Sequence, residues 1–299
     1  MSSVHLNVDN IPQIDSVDDR DLETGVLMVR PTHYDVVYEI NPHMKGNIGS
    51  VDVQKAMAQW CLLKETYEYL GFPVCVLEGV KGLPDMVFTA NQTFPFVNVD
   101  GTPQVILSKM ASAYRQDEVE YFAEWYAQNG YSVIRHVDPP IEFEGMGDAI
   151  WHPGKMILYI GYGFRTQKGA LQRAADCIGC DVVGLELVDP HFYHLDTALS
   201  VIDQHTALYV PSAFTETGIE ILQHQFSNLI AVPLLEAKEG FVTNGHSPDG
   251  KHFIVHKGNV ETVHHLQNIG ITVIEVNTSE FMKSGGSVFC MKMMLPKIK

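Results

Sequence analysis

The clearest hydrophobic pattern lies between Asp117 and Val137. Val119, Phe122, Ala123 and Tyr126 recur at helical spacing, Asn129-Gly130 stops the helix, and YSVIRHV follows as a strand. The same order recurs along the chain. Helices end at Gly71 before FPVCVLE, at Gly179 before CDVVGLEL, near Ser227 before NLIAVPL, and at Gly270 before ITVIEVN. The separations are roughly 43 to 59 residues, the period of arrays and propellers. Hairpin patterns precede several of these helices: DAIWHPGKMILYIG around a Pro-Gly turn, TALSVIDQHTALYV, and FVTNGHSPDGKHFIVH around Pro-Asp-Gly. Each unit reads as strand, turn, strand, helix, strand. One unit cannot bury its own apolar helix face, so neighbours must pack about a common axis. The fold class is therefore α/β, a pseudo-five-fold propeller of five units. A two-domain doubly wound protein is the competing arrangement, but no Gly-rich phosphate turn follows the first strand. Residues 24–299 are expected to form a single domain, and residues 1–23 a polar extension with no assigned role.

A ring of this kind leaves a central channel lined by strand ends and loops, where a substrate site belongs. Four segments interrupt the apolar pattern there: LPDMVFTAN, FEGMGD, HLD and SGGSVFC. Cys290, in a strand-like run after Gly285-Gly286, is a candidate nucleophile, which requires a neighbouring acid or base. His194 and Asp196 alternate, so on a strand both face one side. Glu144 sits in an apolar, Gly-rich loop suited to a carboxylate that orients an imidazole. Asp85 and Asn91 flank MVFTA. Cys61 and Cys75 fit helix and strand core positions, and Cys177-x-x-Cys180 lies at a helix C-terminus, where a redox pair is not expected. No second pair completes a zinc site, and the His191/His194 spacing is poor for a metal on a strand. No metal is expected.

Composition narrows the alternatives. A net charge of −16, with only six arginines, argues against a nucleic-acid surface. No run approaches the ~18 apolar residues of a membrane span. The N-terminus has no basic and apolar leader, and five cysteines is an odd number, so the reducing cytoplasm is the expected compartment. The assembly state is open, a homo-oligomer being allowed.

Taken in order, MVRPTHYDVVYEINP, LPDMVFTAN, FEGMGD, GYGFRT, HLD and GGSVFC resemble the guanidino-group modifying superfamily, the penteins. Arginine deiminases, dimethylarginine hydrolases, amidinotransferases and arginine dihydrolases belong to it. The resemblance spans about Thr24 to Met294 and implies a five-bladed α/β propeller. It implies Cys290 as nucleophile, His194 as general acid/base and Glu144 as its carboxylate partner. Asp196 matches an acid that grips the guanidinium, Arg165 a clamp on the substrate carboxylate, and Arg115 a second site arginine. Asp85 matches a polar position at the amino-acid end, and Asn41 a site-lining residue of the dihydrolase-like branch. The implied partner is a small arginine-like amino acid, hydrolysed without a cofactor; transfer of the amidino group to an amine and a non-catalytic binding protein are the alternatives. Where deiminases place an Asp, this chain has Asn91, whose amide can donate as well as accept and so can hold a neutral ureido group.

Overall fold

The computed structural model describes residues 3–135 and 140–297. The strands of these residues form five sheets. In the first, Glu23–Val29 pairs parallel with Val74–Leu77 and antiparallel with Met293–Pro296, so the chain's last strand closes the sheet begun by its first module. The second sheet places Pro103–Leu107 between antiparallel Thr93–Val97 and parallel Ser132–Ile134. In the third, Ile157–Tyr162 takes the same position between Ala149–Trp151 and Asp181–Glu186. In the fourth, Thr206–Tyr209 lies between Leu199–Val201 and Asn228–Ala231. The fifth pairs His252–His256 with Thr272–Val276, and its antiparallel partner is reduced to a bridge between His246 and Ile254.

Each parallel pair is joined by a helix: Val53–Tyr69, Glu118–Gln128, Gly169–Ile178, Glu216–Gln225 and Val260–Asn268. Parallel neighbours require such a crossover. The inward stripes of the helices (Trp60 and Leu63, Phe122 and Tyr126, Leu171 and Ala175, Ile221 and Leu222, Leu266) are buried and share one core cluster with the strands. The expected α/β propeller is the architecture found.

The polar N-terminal extension packs on the third sheet: Val4–His5 adds a fourth strand beside Val182–Val183, and Asp18 and Arg20 bond to the backbone at Met156 and Gly154. Several local expectations differ. Cys75 is exposed, on the outer face of its strand, whereas Cys61 is half-buried and packs against the core as expected. His136 and Val137 of the expected YSVIRHV strand lie outside the described residues. HLD is not strand. Leu195–Ala198 is a single helical turn with His194 at its N-cap, because the antiparallel ladder begins only at Leu199. Likewise Cys290 lies in a turn ahead of Met293–Pro296.

Candidate active site

The irregular turns have a common place. A short turn precedes the innermost strand in every module: Pro84–Val87, Gly145–Asp148, Leu195–Ala198, Val242–Asn244, and the turn at Cys290. These turns carry Asp85, Glu144, His194 with Asp196, Asn244, and Cys290. Asn91 follows the first of them. Pseudo-symmetry thus converges residues that are far apart in sequence on one axis.

Gly145 shows how tightly the turns mesh. It sits at φ 54°, and a Cβ there would lie 2.4 Å from Thr93 O and 2.9 Å from Ala90 O and Asn91 O. Backbone cannot yield as a flexible side chain can. Gly145→Ala is expected to lower stability by about 3 kcal/mol, read as a fall in Tm, and to depress activity by separating Glu144 from Asn91.

Cys290, His194, Asn91, Asp85, Arg115, Arg165 and Asn41 line one cavity, with Phe88, Tyr193 and Gly285-Gly286. Glu144 and Asp196 join through hydrogen bonds. Cys290 Sγ donates to Asp196 Oδ2 (3.1 Å), and Asn244 Nδ2 donates to Sγ (3.2 Å). Glu144 Oε2 lies 2.6 Å from His194 Nε2, while Oε1 accepts from Ala111 N (3.0 Å). Asp148 couples the two turns, accepting from Leu195 N (3.0 Å) and Thr166 Oγ1 (2.6 Å); Thr166 in turn accepts from Glu144 N (3.0 Å). All nine expected site residues therefore meet in one place.

Two of these lining residues are also held by protein partners. Arg115 gives Nε and Nη2 to Glu118, Nη2 also to Asp85 O (3.1 Å), and Nη1 to Asn91 Oδ1 (2.9 Å). Its planar fork is occupied by protein, so it orients Asn91 more than it offers a free clamp. Asn41 Oδ1 caps the turn Pro42–Met44, and its Nδ2 donates to Ser284 O (2.9 Å), tying that loop to the glycines before Cys290.

Three buried polar atoms in this region have no protein partner: Asp196 Oδ1, Asn91 Nδ2 and Asp85 Oδ1. Buried polar atoms are normally satisfied, so each of these is left open to a further partner. Asp85 Oδ2 is held by Tyr38 Oη (2.8 Å). Arg165 stacks over Tyr193 (4.9 Å) and donates to Ile40 O (2.8 Å), with Glu144 at 3.7 Å.

Electrostatics follow from burial. Glu144 is driven up by burial, but the His194 hydrogen bond and charge, with Arg165 and Arg115, outweigh this and hold its pKa at about 2. Its ionised form therefore adds stability above the ordinary carboxylate range, and that share is lost as pH falls towards 2. Burial raises Asp196 to about 7 despite the Cys290 hydrogen bond and Lys292, and raises Asp148 to about 7. The Cys290 thiol is pushed well up by burial and by the Asp196 carboxylate.

The cavity volume is ≈ 10 Å³, about one water. An amino acid can be seated only if a wall shifts. The wall formed by the irregular loop around Ile40–Met44 is held by the Arg165 and Asn41 bonds. Larger cavities, ≈ 250 and ≈ 620 Å³, lie elsewhere and lack this set of groups.

Asn244 was not marked by the sequence, where it reads as part of a hairpin. Its Oδ1 also accepts from Ser287 N (2.8 Å) and Cys290 N (3.3 Å), so one amide shapes the whole nucleophile turn. Glu118, Asp148 and Tyr38 were equally silent, because acids on a helix or in a turn are ordinary surface chemistry until burial is known.

The family described as "N,N dimethylarginine dimethylhydrolase, eukaryotic" matches residues 41–296. This chain belongs to that family, within the pentein superfamily. A dimethylarginine dimethylaminohydrolase of Mycobacterium tuberculosis (strain ATCC 25618 / H37Rv) is 39% identical over 265 residues, covering 88% of this chain and 83% of the relative. The bifunctional arginine dihydrolase/ornithine cyclodeaminase AgrE of Nostoc sp. is 33% identical over 266 residues, 89% of this chain but only 37% of AgrE. The substrate-bound N-terminal domain of ArgZ, an arginine dihydrolase of cyanobacteria, superposes with a TM-score of 0.85 at 32% identity, covering 91% of this chain and 98% of that one. A dimethylarginine dimethylaminohydrolase structure at 22% identity (TM-score 0.75) shares the fold. This pentein is a hydrolase of amidine C–N bonds. No helix among its described residues is long and apolar enough to cross a membrane.

Proposed function

We propose that this pentein hydrolyses free arginine twice, giving ornithine, carbon dioxide and two molecules of ammonia. The observation that carries this reading is the fixed amide of Asn91. Arg115 donates to its Oδ1, so the buried Nδ2 is left as a donor without a partner. A donor at that position complements the oxygen of a neutral ureido group, the product of one hydrolysis, and so favours a second. Asp196 Oδ1 complements a guanidinium N–H, Asp85 Oδ1 the α-ammonium, and Arg165 the α-carboxylate.

Cys290 acts as the nucleophile. Burial and Asp196 favour its protonated form, so a cationic guanidinium beside the sulfur supplies the charge that stabilises thiolate. Sulfur attacks the guanidino carbon, held in place by Asp196. His194, oriented by Glu144, protonates the departing nitrogen of the tetrahedral adduct, and ammonia leaves to give a thiouronium. His194 then deprotonates water, which displaces the sulfur and yields citrulline. The second round repeats on the ureido carbon: ammonia leaves, and the S-linked carbamoyl is hydrolysed to ornithine and carbon dioxide.

Incubation with arginine alone tests this: ornithine and ammonia accumulate in a 1:2 ratio, and Asn91→Asp, which can no longer donate, stops at citrulline. Ornithine that appears only with an added amine, and without ammonia, would defeat the reading in favour of amidino transfer. Dimethylarginine hydrolysis is the second reading, supported by the Mycobacterium tuberculosis relative. Dimethylamine released faster than ammonia in a competition between the two substrates would establish it.

The pH dependence follows from Asp196. Its raised value of about 7 means that kcat/KM, which reports the free enzyme, rises about tenfold per pH unit below that point and levels above it. A profile flat from pH 5 to about 8 would show that Asp196 is already ionised at pH 5 or takes no part in binding.

A further inference from the structure

The ring axis has a second opening. Behind the Cys290 turn lies a cavity of ≈ 250 Å³ whose floor is Met146, Phe289 and Lys292. Trp151, Ile202 and Met294 add apolar wall. Three hairpin turns, at 153–154, 203–204 and 248–250, form the rim. No residue of the candidate active site lines it.

Lys292 is the anomaly. It is fully buried, and among the described residues its Nζ has neither an oxygen nor a nitrogen partner. Its contacts are Met146 Sδ (3.7 Å) and the Phe289 ring (3.3 Å to the centroid). A buried ammonium without an anion or a polar acceptor is costly. The other cation of the cavity, Arg20, is already paired with Glu23 and lies over Trp151 (4.5 Å). His246 spends Nδ1 on Tyr67 Oη (2.9 Å). A single free cation at the base of an apolar cavity is the complement of one small anion with an apolar body. Asp203 and Asp249 at the rim disfavour a dianion.

We propose that this rear cavity is a second ligand site, for a small apolar monocarboxylate whose carboxylate pairs with Lys292 Nζ. The site is independent of the arginine reading and stands or falls without it.

Proton linkage gives the site a signature. Burial lowers Lys292 to about 7, against the opposing pull of Asp196, Glu23 and Cys290. Arg20 and His246 line the same cavity, and Glu23 and Asp196 act from the first-module strand and the HLD turn. A carboxylate bound beside Nζ favours the charged lysine, so at about pH 8 binding takes up a proton.

Titration calorimetry of the full chain with 3-phenylpropanoate, at about pH 8 in Tris and in HEPES, tests the proposal. Expected are uptake of about one proton and binding at least about tenfold tighter than 3-phenylpropanamide. Lys292→Met, with folding checked by its melting curve, removes both effects. Val201→Trp, which keeps the lysine but fills the wall, weakens the acid by about tenfold or more. The site is refuted if acid and amide bind equally, if Lys292→Met binds as before, or if no heat is seen at about 10 mM.

Discussion

Cys290→Ser is expected to lower kcat/KM for the guanidino substrate by at least about 10⁴-fold with little change in melting temperature. A serine hydroxyl fits the space and can still donate to Asp196 and accept from Asn244, so the turn is preserved. What disappears is the soft nucleophile: an alkoxide beside a carboxylate is far harder to form than a thiolate. Ammonia release in single-turnover and steady-state assays measures the loss. The unsubstituted protein, quenched in acid during turnover, should carry an adduct on the Cys290 peptide by mass spectrometry. Turnover within about tenfold of the unsubstituted protein would show that sulfur does not attack.

The second large effect belongs to Glu144→Gln, for which a loss in kcat of about 10²- to 10⁴-fold is expected. The reason lies in which nitrogen of His194 carries the proton. Ala111 N donates to Oε1, so the carbonyl oxygen of a glutamine stays there and its NH₂ group faces His194 Nε2. That imidazole nitrogen would have to become the acceptor, leaving the proton on Nδ1, the nitrogen that must accept one from water. The substitution thus imposes the wrong tautomer with little change of shape. It also removes the buried charge that favours imidazolium in the leaving-group step. KM should change little, since Glu144 does not contact the substrate directly. An unchanged kcat would show that His194 works without this carboxylate.

The modules were legible because their signals are local. Apolar spacing at Val119, Phe122, Ala123 and Tyr126, and stops such as Gly71, Gly130, Gly179 and Gly270, act within one helix. The HLD reading failed for the opposite reason. Whether three residues lie in a strand or in a turn before it depends on where the neighbouring strand begins to pair, and that partner is Thr206–Tyr209. The exposure of Cys75 was unreadable for a similar cause, since a strand with short alternation does not say which face the helices cover.

The candidate site divides along the same line. Sequence alone determined the five-part repeat, the residue types on offer, and the amide at Asn91 in place of an acid. Only the folded ring decided that Cys290 Sγ meets Asp196, 94 residues away, that Asn244 holds the nucleophile turn, and that Arg115 holds Asn91 Oδ1 and leaves its Nδ2 without a protein partner. Backbone preference acts over a few residues, whereas the direction of a buried polar atom is set by whichever partner the rest of the chain brings to it.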